Sequence, residues 1–294
     1  MEEKLPSLLR CFFDCLPFDG LEPLAKAISA LVYPFLTQRR KIAMANLDLA
    51  FRNKLSRIKK DRILKYNLFC FSRNVLELGK VAFLSPSVWL PRWEIEGEEH
   101  LKAAYLRGKG VVMVSAHMGN FPLMVTLFAL KGYKMAVVAK VPQKGIGRKV
   151  IQLFEQRFGI RFVHARENKK AAFACVKHLR KGGVVFVQLD QNAPQHKAMI
   201  DFFGYPVPVP RSPAVLAQKT GAAIIPVFAF CKPGLRHKVI CEPEVKIKAT
   251  DNERDIWRRL TLLTQIIEKY ATLYPEQWWW WHRRFKEHID YKRL

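Results

Sequence analysis

Two polar side chains stand directly behind runs of apolar residues. Val111-Val-Met-Val-Ser-Ala leads to His117, and Val184-Val-Phe-Val-Gln-Leu leads to Asp190. A neutral imidazole at such a place can take a proton from a substrate hydroxyl, because its pKa lies near working pH and its two nitrogens are separable by their hydrogen bonds. If the two strands are neighbours, Asp190 stands beside His117. Both residues also have plainer readings: a histidine can cap a buried strand end, and an aspartate can serve as a turn or cap residue.

These positions depend on the elements around them. The run from Val111, rich in valine, suits a short buried strand. Gly119 and Asn120 then supply a turn and an N-cap, Pro122 fits the first turn of a helix, and Leu123 to Leu130 continue as that helix. His117 therefore sits where a strand gives way to a helix, the edge of an α/β sheet at which ligands bind. The alternation recurs downstream. Strands are expected at 134–140, 161–164, 184–189 and 222–230, and helices at 147–158 and 169–180. Upstream, Trp93 to Gly97 reads as an edge strand and Glu98 to Leu106 as a helix, while Asp255 to Leu273 closes the chain's helical pattern. The fold class expected is α/β, a mainly parallel central sheet flanked by helices.

The chain has 294 residues, half of them hydrophobic, with 50 Lys and Arg against 25 acidic residues and a formal charge of +25. Such a balance points to nucleic acid, an anionic membrane surface or an acidic carrier protein. Nucleic acid is set aside, because the charge is spread along the chain and no zinc finger, basic zipper or RNA-binding aromatic signature is present. The six cysteines, Cys11, Cys15, Cys70, Cys175, Cys231 and Cys241, have no metal-ligand spacing. They read as reduced, mostly buried thiols in a chain facing the cytosol, and no metal site is expected.

Residues 5–38 are apolar but interrupted by Arg10, Asp14, Pro17, Asp19, Glu22, Pro23, Lys26 and Pro34. Their longest uncharged piece is well short of the ~20 residues of a spanning helix. Two short amphipathic helices lying in a membrane interface are expected there, with core helices as the alternative. Arg39, Arg40 and Lys41 follow, suited to anionic headgroups. The domain reading is a membrane-associating segment over 1–38 and a main domain over 39–294. Ile42 to Leu84 reads as two helices joined near Asn53 to Ser56. Asp201 to Arg211 reads as a rigid, proline-rich loop. Of the four tryptophans 278–281, some are expected to face an interface, with Arg283 and Arg284 beside them suited to phosphate.

Taken together, the chain resembles the lysophospholipid acyltransferase superfamily and, within it, the lipid A biosynthesis acyltransferases of Gram-negative bacteria. The resemblance is carried by Arg39-Arg-Lys-Ile-Ala-Met-Ala-Asn46, Val114-Ser-Ala-His117-Met-Gly-Asn120-Phe, Asp190-Gln191, Asp201-Phe-Phe-Gly204-Tyr-Pro206, Leu216 to Phe228, and Pro275 to Lys286. It implies an enzyme at the cytoplasmic face of the bacterial inner membrane. That enzyme moves a fatty acyl chain from an acyl carrier protein to a hydroxyl of a phosphorylated glycolipid, without metal or cofactor. It also implies His117 as the base, with Asn120, Arg157, Gln191, Gly204, Arg211, Arg283 and Arg284 as substrate contacts, the arginines on acceptor phosphates. Backbone N–H groups near Gly119 or in the turn from Asp190 to Asn192 are expected to receive the oxyanion.

One position departs from the family pattern. Its motif is a histidine, four residues, then an acid, and here the fifth residue after His117 is Pro122. Three readings follow: Asp190 supplies the missing carboxylate from the adjacent strand end; the enzyme works more slowly or on another acceptor, such as a lysophospholipid or aminolipid; or the protein binds lipid without catalysis.

Overall fold

The computed structural model describes residues 4–142, 144–165, 168–192, 197–247 and 252–294. In chain order the elements are α1 (Lys4–Cys15), α2 (Leu21–Val32), α3 (Thr37–Ala50), α4 (Arg57–Val81), α5 (Pro86–Trp89), β1 (Trp93–Glu96), α6 (Glu98–Leu106), β2 (Val111–Ser115) and α7 (Phe121–Leu130). They continue as β3 (Met135–Ala139), α8 (Gly145–Phe158), β4 (Arg161–His164), α9 (Asn168–Arg180), β5 (Val184–Gln188), β6 (Lys197–Phe202), β7 (Tyr205–Pro210), α10 (Ser212–Thr220), β8 (Ala223–Lys232), β9 (Arg236–Cys241) and α11 (Asn252–Leu273).

Seven strands form one sheet in the order β1-β9-β8-β2-β5-β3-β4. Every pairing in it is parallel except that of β8 with β9. β2 lies at the centre, between β8 and β5, and all five of its residues are buried. The period of two along β2 and β5 divides the core into two layers. Val112, Val114, Val185 and Val187 face the side covered by α9, α10, α11 and the tryptophan run. Val111, Met113, Val184 and Phe186 face α6, α7 and α8. The parallel α/β expectation therefore holds, and β1 is an edge strand as read.

The stretch read as a proline-rich loop is instead the end of β6, the turn and the second strand of a hairpin, β6 with β7. Phe203 and Gly204, both at positive φ (56° and 81°), make its two-residue turn, which is the geometry of a type I′ connection. From the closing pair Phe202 with Tyr205, the pairs alternate, so Pro206, Pro208 and Pro210 all fall opposite residues with which no N–H is exchanged. Proline lacks only what those positions do not need. β9, with its charged Arg236, His237 and Lys238, was not foreseen as a strand.

The N-terminal segment is not a separate body. α2 packs along α4, and Leu21 and Ala25 meet Phe13, Leu76 and Leu235 in a third apolar cluster. Tyr33 enters the main core, donating to Asp61 at 2.5 Å and meeting Trp281 edge-on. The expected boundary at 38/39 falls inside the first turn of α3. Arg39 to Lys41 are also engaged within the chain: Arg39 donates to the Trp281 carbonyl, Arg40 stacks over Tyr33, and Lys41 donates to the Leu294 carbonyl.

Four cysteines are buried and Cys11 and Cys15 are exposed; all six are free thiols. Among the described residues, no helix is long and apolar enough to cross a membrane.

Candidate active site

Parallel pairing sets Ser115 of β2 opposite Gln188 of β5. Two residues further on each chain, His117 and Asp190 meet. His117 Nδ1 lies 2.8 Å from Asp190 Oδ1, and the His117 backbone N–H donates to Asp190 Oδ2, also at 2.8 Å. Asp190 is 1 % exposed. Burial alone would push its carboxyl up, but His117 and the N–H donors around it outweigh that and hold it down to about 2. An ionised Asp190 accepts, so Nδ1 carries the proton and Nε2 presents its lone pair to the cavity.

The segment from Tyr274 to Arg284 locks this arrangement. Trp278 Nε1 donates to Asp190 Oδ2 at 2.9 Å. Met118 bridges to Trp278, Trp279 N–H donates to the His117 carbonyl, and Gly119 N–H donates to the Gln277 carbonyl at 3.3 Å. The last contact removes Gly119 as an expected oxyanion donor, since its N–H is already used. Gly119 itself is required: its φ is +50°, and a Cβ there would lie 2.1 Å from the Ala229 carbonyl oxygen. The tryptophan run also differs from expectation. Trp278, Trp280 and Trp281 are all buried, and only Trp279 is partly exposed. They fit one core because the segment is irregular, so its side chains diverge among α3, α4 and the β6–β7 hairpin. Asparagines satisfy its backbone: Asn46 donates to the Trp280 and His282 carbonyls, and Asn67 to that of Trp278.

The expected substrate contacts divide. Gln191 reaches the site, its side-chain amide 3.0 Å from His117 Nε2. Arg283 is exposed beside it, with its carbonyl held by Asn192. Asn120 does not face the cavity. It caps α7 through Leu123 N–H and donates to Glu77 at 2.6 Å, fully buried. Gly204 is the hairpin turn residue. Arg211 pairs with Glu253. Arg284 is buried and donates to Asn192 Oδ1 and the Pro208 carbonyl, so it braces the Asp190 loop and presents no face to a phosphate. Arg157 lies in the last turn of α8, about 18 Å along a helix that starts at the sheet edge bearing His117. It donates there to the Leu84 carbonyl, away from the imidazole.

Three residues that sequence reading passed over shape the site from α4. Asn74 donates to the Gly119 carbonyl, and Glu77 holds Asn120 while pairing with Arg73 and His237. Phe71 packs on Trp279 at 4.7 Å between ring centroids. The available signal was the row Asn67, Arg73, Asn74 and Glu77, polar residues at helical spacing inside an otherwise apolar stripe.

Two apolar cavities flank this centre. One, of about 240 Å³, includes His117 in its wall with Phe71, Val75, Leu78, Phe121, Pro122 and Trp279. The other, of about 190 Å³, runs between α7, α8 and the ends of β3 to β5, lined by Val125, Val137, Val150, Phe154, Phe162 and Phe186. Leu78, Phe121 and Pro122 form the partition between them. A base with an oriented proton-accepting nitrogen, in the wall of one hydrocarbon-lined space and packed on Phe121 of the partition to the second, suits proton abstraction from a lipid hydroxyl.

A family model described as "Bacterial lipid A biosynthesis acyltransferase" matches residues 8–287. The lipid A biosynthesis palmitoleoyltransferase of Escherichia coli K12 is 26 % identical over 275 residues, covering 92 % of this chain and 86 % of that protein. The lauroyltransferase of the same organism is 24 % identical over 281 residues, covering 92 % and 87 %. A phosphatidylinositol mannoside acyltransferase of Mycobacterium tuberculosis is 28 % identical over 138 residues, 46 % of this chain and 43 % of that one.

Proposed function

Because the chain belongs to the bacterial lipid A biosynthesis acyltransferase family, we propose that it moves a fatty acyl chain from an acyl carrier thioester to a hydroxyl of a lipid A precursor or related phosphorylated glycolipid, at the cytoplasmic face of the inner membrane. The observation that carries this reading is the 2.8 Å contact of His117 Nδ1 with buried Asp190, which leaves Nε2 facing the cavity.

In this mechanism Nε2 takes the proton of the acceptor hydroxyl, and the oxygen attacks the thioester carbonyl. A C–O bond forms and the carbonyl becomes an oxyanion. The oxyanion collapses with loss of the C–S bond, and the imidazolium returns its proton to the departing thiolate. Asp190 stabilises the imidazolium in between. The Gln191 amide, which rests on Nε2 in the free protein, yields that place to the acceptor and is in reach to donate to the oxyanion. The cavity between α7 and α8 takes the donor's acyl chain. The cavity below Phe71 and Val75 takes the acceptor.

Access from a membrane is supported by the inverted polarity of α2. Leu21, Ala25 and Ser29 are buried, whereas Ile28, Leu31, Val32 and the following Phe35 are exposed, Leu31 at 70 % and Phe35 at 79 %. An apolar outer face on an interfacial helix is what docking into headgroups requires. Phe12, Phe71 and Val75 extend the same exposed apolar set onto α1 and α4, the latter two at the cavity mouth.

The mycobacterial relative favours a second acceptor class, a glycosylated phosphoinositide. The test offers carrier thioesters of several lengths against lipid A precursor, lysophospholipid and phosphatidylinositol mannoside, wild type beside His117→Ala. Product lost in the variant supports the assignment. Equal product from both proteins would remove His117 as the base, and binding without product would leave a lipid-binding protein.

A further inference from the structure

α9 carries a face that the mechanism above does not use. Its inner residues Ala171, Cys175 and Leu179 are buried at intervals of four against the sheet. On the outer side Phe173 is 70 % exposed. Lys169 precedes it by four residues and Lys177 follows by four, with Arg180 one turn beyond, all three exposed. Side chains so spaced share one helix surface. The helix, Asn168–Arg180, contains no Asp or Glu, and no ion pair joins Lys169, Lys177 or Arg180 to a carboxylate among the described residues.

We propose that this face, Phe173 set among Lys169, Lys177 and Arg180, is the docking surface for the acidic carrier protein that delivers the acyl thioester, an inference that rests on the donor assigned above. A single aromatic anchor set among cations on a helix without acidic residues matches a partner whose surface is acidic with an apolar centre. A lipid surface calls for something else, the broad apolar face that α2 presents.

Position agrees with composition. α2 is fixed to α4 and to the turn between β8 and β9 through Leu235, on one side of β2 in the strand order. α9 packs under β3, β4 and β5, on the other side. Because β4 is parallel to β3, the first turn of α9 starts at the same sheet edge as His117 and Asp190. The cavity assigned to the acyl chain lies in this half of the sheet, on the face opposite α9, with Val137 of β3 and Phe162 of β4 in its wall. α2 and α9 thus lie to opposite sides of β2 along the sheet, and both the start of α9 and His117 are at the same sheet edge.

The experiment titrates isotopically labelled acyl carrier protein, bearing a saturated acyl chain, with the wild type, Phe173→Asp and Lys169→Glu/Lys177→Glu. Binding of all three proteins to anionic phospholipid vesicles is measured alongside. Expected is a loss of carrier affinity of at least about tenfold in both variants, with melting temperature, vesicle binding and turnover of a small acyl-pantetheine donor unchanged. Carrier affinity equal to wild type in the folded variants overturns the proposal, as does a wild type that binds no carrier or variants that lose vesicle binding instead. If the variants lose carrier binding while the wild type transfers no acyl group from any donor, the docking surface stands and the acyltransfer reading fails. If transfer from carrier proceeds with unchanged KM in the variants, the reading stands and the surface falls.

Discussion

Trp278 Nε1 donates to Asp190 Oδ2 at 2.9 Å, on the opposite oxygen from the one that faces His117 Nδ1 at 2.8 Å. One buried carboxylate is therefore gripped from both sides, and its position, like that of the imidazole, is set by the packing of a tryptophan. Asp190→Asn keeps the shape but can donate to Nδ1 and so favour the wrong tautomer. A fall in kcat of ~10³ to 10⁴ is expected, measured as acyl transfer under saturating donor. Trp278→Phe removes one donor to a buried charge, and should lower stability by about 1–3 kcal/mol with a smaller loss of rate. A folded Asp190→Asn protein with wild-type kcat would dismiss the orienting role.

The same carboxylate makes stability depend on pH in acid. Its pKa falls from 3.8 in the unfolded chain to about 2 in the folded one. A depressed folded pKa means that the stabilisation is complete above about pH 4 and is lost as pH falls through about 2. The shift corresponds to about 2 kcal/mol. Chemical denaturation of wild type and Asp190→Asn from pH 5 down to pH 2 measures it: the gap between the two should close across this window. A gap that stays constant would show that Asp190 titrates alike in both states.

Pro122 occupies the place of the family's acid, yet Nδ1 already has its carboxylate. Pro122→Glu should therefore not raise activity. Its side chain would enter the partition between two apolar cavities, where an ionised acid is poorly solvated. Lower kcat with intact fold is expected in the acyl-transfer assay, and a gain of activity would mean that Asp190 is an incomplete substitute.

On α2 and the turn that follows it, charges at exposed apolar positions test docking without touching the core. Leu31→Glu and Phe35→Glu should leave the melting temperature within about 0.5 kcal/mol equivalent of wild type, because neither side chain is buried. Co-sedimentation with anionic vesicles should fall by at least about tenfold in the double variant. Unchanged sedimentation would move the membrane contact to another face.

Chain length is testable in the second cavity. Val150→Phe adds bulk to a space of about 190 Å³, and the preferred donor should shorten in a competition among carrier thioesters. If the preference holds while the protein folds, the acyl chain lies elsewhere.

Local pattern carried much of this protein. The valine-rich runs of β2 and β5, the Asn120 cap with Pro122 behind it, and the end of α8 at Phe158 were legible because each depends on neighbours in sequence. His117 and Asp190 could be singled out as strand-end residues for the same reason. Their meeting could not be read locally. It required β2 and β5 to be neighbours in register, a pairing fixed by how the apolar faces of distant helices cover the sheet. The hairpin escaped because prolines deny a strand only where an N–H is needed, and that depends on pairing. Arg284 and the tryptophans looked like surface recognition by composition. Tertiary packing turned them inward, since a segment without regular structure can direct three indoles and a guanidinium into one core only when α3, α4 and the hairpin close around it.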